Sequence, residues 1–300
     1  MFEFLKNDKV LPVFISAITT VLVFFLTLFT KNFIDTRILR SKLNTEHKFD
    51  QRKKIKEVLA KNKVHLLIAC EDFNYRMWNF ENNYNQNWLN VQRVDYLNTD
   101  RYYFHSFIYR FLAVFAWTKK IQKEMIYLDT TIATRDDLDF IKFLNVFQCM
   151  FCDLTFMEGL QANADGSDHF YKNTFDKYAY CLITDDGIKS YSEYIKDLSN
   201  NNELLDDLFV YFEGMSPLES RKRWDRFHLF HLSILIFLNK YGYDYQKTGS
   251  KKIKYILEHP KRSDYLPNFF NLLKDYCLDR NNKVIEIQKI SGLKKGWFPF

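Results

Sequence analysis

The chain has 300 residues and a formal net charge of +6, and only 8 Gly and 5 Pro punctuate it. So few turn formers exclude a collagen-like chain and argue against a sandwich, a barrel or a repeated βαβ fold, which leaves an all-α fold as the expectation. A hydrophobic share of 47% is too high for a disordered chain, and an odd count of five cysteines makes no disulfide framework.

Residues Val10 to Thr30 read VLPVFISAITTVLVFFLTLFT, without a charge. At 1.5 Å per residue this run covers a hydrocarbon core of about 30 Å, so the sequence predicts one transmembrane helix behind a short extracytoplasmic leader, 1–9. A cleaved signal would have an apolar core of about 7–15 residues and a small-residue cleavage site, whereas Phe29, Thr30, Lys31 and Asn32 follow here. The apolar runs Phe107 to Trp117 and Leu229 to Leu238 are too short to span, and Arg110 interrupts the first. Lys6 and Lys9 before the span are balanced by Glu3 and Asp8, while Lys31, Arg37, Arg40, Lys42 and Lys48 after it outnumber Asp35 and Glu46. By the positive-inside rule the body faces the cytoplasm of an inner (plasma) membrane, a reducing compartment that suits unpaired cysteines.

Residues 31–63 hold eleven Lys and Arg against four acids, a net +7, so the rest of the chain sums to −1. Basic charge next to a span is attracted to anionic inner-leaflet lipid, which makes Arg52, Lys53, Lys54 and Lys56 the expected lipid contacts.

A basic stalk, 31–45, is expected to break near Asn44 and Thr45 before a second helix, Glu46 to Phe80. Ile55, Leu59, Leu66, Ala69, Phe73, Met77 and Phe80 form its inward stripe. A polar loop spans Asn82 to Asn98. Thr99 or Asp100 then caps a third helix to about Leu128, and Thr134 or Asp136 caps a fourth to Glu158, with Gly159 at its end. The fourth, apolar nearly all round from Phe143 to Met157, is the expected centre of the bundle. Turns are read at Ala164 to Asp168 and Asp185 to Gly187, and helices at Ile188 to Leu198 and Glu203 to Phe212. Ser216, Pro217 and Glu219 stand as N-cap, first residue and capping-box partner of a helix to Tyr241. Gly242 and Gly249 bracket a turn, Lys251 to Glu258 and Asn268 to Asp279 read as helices, and Ser291 to Phe300 is a basic-aromatic tail. Residues 46–300 are thus read as one cytoplasmic α-helical domain. Phe, Tyr, Asn, Lys and Ile are abundant together, as an AT-rich coding sequence produces, so 30 Phe and 19 Tyr do not themselves mark aromatic recognition.

Cys149 and Cys152 make a CxxC inside the most apolar helix and lack the second pair a zinc site needs, so no metal and no cofactor is expected. Glu71, Asp72, Arg76, His105, Arg110 and Asp153 fall where burial is expected, and buried charges pair. Asp72 with Arg76 is a local pair by spacing, and Arg110 with Asp153 or Glu71 is the expected interhelical network.

The segment Arg221 to His231, RKRWDRFHLFH, places Arg226 and His231 at R-x4-H spacing, as it does Arg223 and His228. This resembles the motif of HEPN ribonucleases. The resemblance implies that Arg226 holds the scissile phosphate of RNA and His231 is the general acid/base, in a dimer that brings two motifs together. Phe227 stands where that motif often has a polar residue, which departs from the pattern. Lys294, Lys295, Trp297, Phe298 and Phe300 suit either a bilayer interface or docking on the bundle. DQRKKIKEV (Asp50 to Val58), CEDFNYRMWNF (Cys70 to Phe80), YYFHSFIYRFLAVFAW (Tyr102 to Trp117) and RWDRFHLFHL (Arg223 to Leu232) resemble a group of bacterial single-pass membrane proteins with a helical cytoplasmic body, a group that carries no established reaction. By layout alone the chain is also similar to membrane-anchored phage-defence effectors, some of them HEPN-bearing. The expectation is a membrane-anchored binding, scaffold or effector protein with lipid and an unidentified protein as partners. The alternatives are a tethered ribonuclease and a homo-oligomeric pore.

Overall fold

The computed structural model describes residues 10–126, 129–154, 156, 169–199, 203–219, 221–258 and 265–292. Among them are ten α-helices and no β-strand, with one isolated antiparallel bridge between Ile183 and Ile188. The chain divides into two compact units, Met1–Lys54 and Ile55–Phe300. The second begins later than the expected Glu46, at the first position of the helix that is buried.

Helix α1 runs Val10–Asn83 without the expected break. Thr45 does not interrupt it, because its hydroxyl donates to the Ser41 carbonyl at 2.8 Å and so lies along the helix. In the first unit no protein covers the apolar run: Phe24 is 60% and Phe29 76% exposed. Its threonine hydroxyls are satisfied internally. Thr19, Thr20, Thr27 and Thr30 each donate to the carbonyl four residues back, at 2.7–2.8 Å. The segment is long and apolar enough to cross a membrane.

The second unit is a helical bundle. Its remaining helices are α2 (Tyr102–Met125), α3 (Arg135–Cys152), α4 (Lys172–Tyr180), α5 (Tyr191–Leu198), α6 (Asp206–Phe212), α7 (Arg223–Tyr241), α8 (Ser250–Glu258), α9 (Tyr265–Asp275) and α10 (Asn282–Ile290). The centre is α7, in place of the expected α3, since every position from Arg223 to Asn239 is buried. Phenylalanines from four helices meet around it, with ring centroids 5.1 Å apart for Phe73 and Phe230, 5.1 Å for Phe111 and Phe151, and 5.2 Å for Phe115 and Phe230. The three pairs are tilted, edge-to-face and stacked in turn, and aromatic pairs of this kind add to the area each ring buries.

Several boundaries differ from expectation. Of the two residues expected as caps, Thr134 is the one that caps α3, with a capping box to Asp137, but α3 ends at Cys152, where Asp153 turns extended. Neither Thr99 nor Asp100 caps α2, which starts after Arg101 without a side-chain cap. Ser216 does not cap α7 either. Its hydroxyl accepts from the Leu218 amide at 3.2 Å in a turn, and α7 starts at Arg223. α7 ends at Gly242, where a Cβ would lie 2.6 Å from the Leu238 carbonyl oxygen, so the position admits only glycine. α10, capped by Asn281, has no counterpart in the expected elements, and α9 starts before Asn268 and ends before Asp279. Residues 158–159, the expected turn 164–168 and the tail from 293 lie outside the described residues.

Candidate functional site

Three cavities lined by described residues bear on a site in the second unit. One of about 220 Å³ beside Tyr178 and one of about 260 Å³ beside Leu205 already contain paired polar groups: the Tyr178 hydroxyl donates to Asp207 at 3.3 Å, and Lys189 pairs with Asp197 at 2.7 Å. The third, a cleft of about 350 Å³, is different in kind. Asp72, Tyr75, Arg76 and Asn79 come to it from α1, Tyr103 and Arg110 from α2, and Trp88 from the connecting loop. Helical geometry explains the grouping. Residues three, four and seven apart share a face, so 72, 75, 76 and 79 line one wall and 103 and 110 the other.

Ser106, buried between the walls, organises the two arginines. Arg76 Nη2 donates to its hydroxyl at 3.0 Å, and Arg110 Nη1 to its carbonyl oxygen at 3.0 Å. Two guanidiniums are thereby drawn to one residue. Among the described residues no carboxylate lies at ion-pairing distance from either. The Arg76 guanidinium rests on the Tyr103 ring, 4.3 Å from its centroid, and the Tyr103 hydroxyl donates to Asn79 Oδ1 at 3.0 Å. The Trp88 and Tyr103 ring centroids are 4.4 Å apart. Arg76, stacked on a ring and hydrogen-bonded, and Arg110, held by the Ser106 carbonyl, are oriented before any ligand arrives.

The titrating groups register this field. A hydrogen bond from Arg110 lowers the Tyr102 phenol below its usual value, and the charges of Arg110 and Arg76 act in the same direction. Asp72 moves the other way. Partial desolvation raises its carboxyl, Arg110 opposes that, and neighbouring Glu71 adds to it.

Arg110 therefore belongs to a cleft, and not to the network expected with Asp153. Asp153 caps the far end of α3 and its charge acts on Cys149 and His169, while Arg110 faces α1. Glu71 accepts instead from Gln246 Nε2 at 2.8 Å. The local Asp72–Arg76 pair does not form, because Arg76 turns to Ser106 and Tyr103.

The R-x4-H residues are not brought together. Five residues along a helix turn a side chain by about 140°, so Arg226 and His231 leave α7 on different sides. Arg226 Nη1 donates to the Phe151 carbonyl at the end of α3, and His231 Nε2 donates to Asn74 Oδ1 at 2.8 Å. They are 1% and 0% exposed, so a phosphodiester has no approach to either. Arg223 and His228 are equally occupied, His228 by the Ile256 carbonyl at 2.9 Å. Arg52, Lys53, Lys54 and Lys56 are all exposed.

All five cysteines are free thiols. Burial pushes the Cys152 thiol up to about 12, and Cys149 Sγ lies 2.9 Å from the Tyr276 hydroxyl. Among the described residues no three His, Cys, Asp or Glu are placed to hold a metal ion.

Arg76, Asp72 and Arg110 stand out in the sequence as charges on helices. Trp88, Tyr75, Asn79 and Ser106 do not, because their part depends on which face of α2 meets α1. No family model, curated protein or solved structure matches the chain.

Proposed function

We propose that the chain is a single-pass membrane protein whose helical body faces the cytoplasm and binds an anionic ligand in the Arg76–Arg110 cleft, acting as a sensor or effector at the membrane surface. The observation that carries this reading is the convergence of two guanidiniums on Ser106 with, among the described residues, no carboxylate at ion-pairing distance from either. Like charges held close repel, and an anion that accepts from both relieves the repulsion while using the fork geometry of arginine. The uncovered apolar run and its internally bonded threonines support a membrane anchor. The excess of Lys and Arg after the span supports the orientation, and the exposed Arg52, Lys53, Lys54 and Lys56 suit contact with anionic lipid.

The test uses the full chain in neutral-lipid nanodiscs and equilibrium binding of inorganic phosphate and sulfate. Wild type should bind both, and Arg76→Gln/Arg110→Gln should lose at least tenfold in affinity at an unchanged melting temperature. Equal binding by the two proteins, or none by wild type, refutes the anion site. Extraction of the chain by alkaline carbonate would refute the anchor independently.

A further inference from the structure

We infer that the ligand of the Arg76–Arg110 cleft is a nucleoside monophosphate, its phosphate on the arginines and its base against Trp88. The inference rests on the anion-binding reading above and adds the chemistry of the rest of the ligand.

The phosphate half follows from geometry. Arg76 and Arg110 each direct one N–H to Ser106, and a guanidinium has five, which leaves forked donors on both for a tetrahedral dianion. The Tyr102 ring, its centroid 6.0 Å from the Arg76 guanidinium, stands at the same end. The ring half follows from the walls. One face of Tyr103 is covered by Arg76. Trp88, 40% exposed, and Tyr75, 60% exposed, present aromatic surface at the same opening with no core to fill. Apolar rings left exposed beside fixed donors are what a ligand with a flat π-face and a charged end requires.

Size and charge restrict the class. A cleft of about 350 Å³ lies at the small end of ligand pockets, enough for one nucleotide. Two arginines against Asp72 leave one net positive charge, which suits a single phosphate better than a triphosphate. A strand of RNA needs a continued basic track, whereas Glu71 and Asp72 sit on the same stretch of α1 as Arg76.

The experiment is equilibrium binding to the full chain in neutral-lipid nanodiscs, with 5′-AMP, 5′-GMP and 5′-UMP set against ribose 5-phosphate, inorganic phosphate, the free nucleosides and a 12-nucleotide single-stranded RNA. At least one monophosphate should bind tenfold or more tighter than ribose 5-phosphate and than its own nucleoside. Trp88→Leu should erase roughly 5- to 150-fold of that affinity, the range base–aromatic stacking supplies, while leaving inorganic phosphate binding intact. Trp88 lies in a loop, so its removal leaves the core packed, and an unchanged melting temperature verifies this. If ribose 5-phosphate and inorganic phosphate bind as tightly as every nucleotide, the inference falls and the anion site stands. If the RNA binds tenfold tighter than any mononucleotide, a nucleic-acid site replaces it. If nothing binds, both readings fail.

Discussion

Arg223, the first residue of α7, and Glu219, four residues before it in the chain, form a buried ion pair, and the same guanidinium closes the end of another helix. Nε donates to both Glu219 carboxylate oxygens, at 3.0 and 2.8 Å, while Nη1 and Nη2 donate to the carbonyls of Tyr211 at 2.6 Å and Glu213 at 2.8 Å. Those carbonyls belong to the C-terminal turn of α6, which has no further helical donors of its own. Removing one partner of such a pair strands the other charge. Arg223→Met should therefore cost about 3–5 kcal/mol in urea unfolding. Glu219→Gln, which leaves the carbonyl bonds in place, should cost less than half as much. Equal costs would show that the pair, and not the closure of α6, is what Arg223 contributes.

Thr134 and Ser190 each complete a capping box, with Asp137 and Glu193 as partners. Thr134→Ala and Ser190→Ala should each lower stability by about 1 kcal/mol. Ser216→Ala should cost under about 0.5 kcal/mol, because Ser216 stands in a turn ahead of α7 and satisfies no helical donor there. Thermal unfolding of the three variants separates a cap from a sequence that only looks like one.

His231 and His105 are buried, and burial holds both imidazoles below their usual pKa. Between the folded value and about 6.5 the unfolded chain binds the extra proton, so stability is full above pH 6.5 and falls as pH drops below it. Each histidine steepens that loss by up to about 1.4 kcal/mol per pH unit. Asp72 and Glu219, whose carboxyls burial raises, act with the opposite sign at lower pH. His231→Gln, which keeps a donor for Asn74, should flatten the acid limb between pH 6.5 and 5. An unchanged limb would assign it to other groups.

Asp72 faces the same cleft as Arg76 and Arg110, and its carboxyl is raised. As pH falls through that raised value the cleft loses a negative charge and an anion binds tighter. Sulfate, which keeps its charge over this range, should bind more strongly at the acid end of that titration than at pH 7. Asp72→Asn should bind it about 5-fold or more tighter at pH 7, the effect of roughly 1 kcal/mol from one nearby charge, and should remove most of the pH dependence. A pH profile identical in the variant would place the titrating group elsewhere.

The all-α class, the apolar N-terminal helix and the Thr134 cap were legible in the sequence because each depends on neighbours in the chain. Sparse Gly and Pro, an uncharged run of membrane length and a Thr followed three residues on by an acid are local patterns. Local reading also misled where two patterns compete. Asn44 and Thr45 look like a break, yet inside a long helix Thr45 bonds back to Ser41. Ser216-Pro217-x-Glu219 reads as a helix start, yet Glu219 is taken by Arg223, four residues further on. Tertiary structure alone decided what the polar residues do. The R-x4-H spacing is a fact of one helix, but α7 lies at the centre of the bundle, so Arg226 and His231 are consumed by α3 and α1. Arg76, Arg110 and Trp88 are separated in sequence and share a cleft only because Phe73 and Phe107, packed against each other, turn the polar faces of α1 and α2 toward the same opening. Apolar periodicity fixes which side of each helix is buried. Which other helix it is buried against, and so which charges are left facing each other, is set by packing across the whole core.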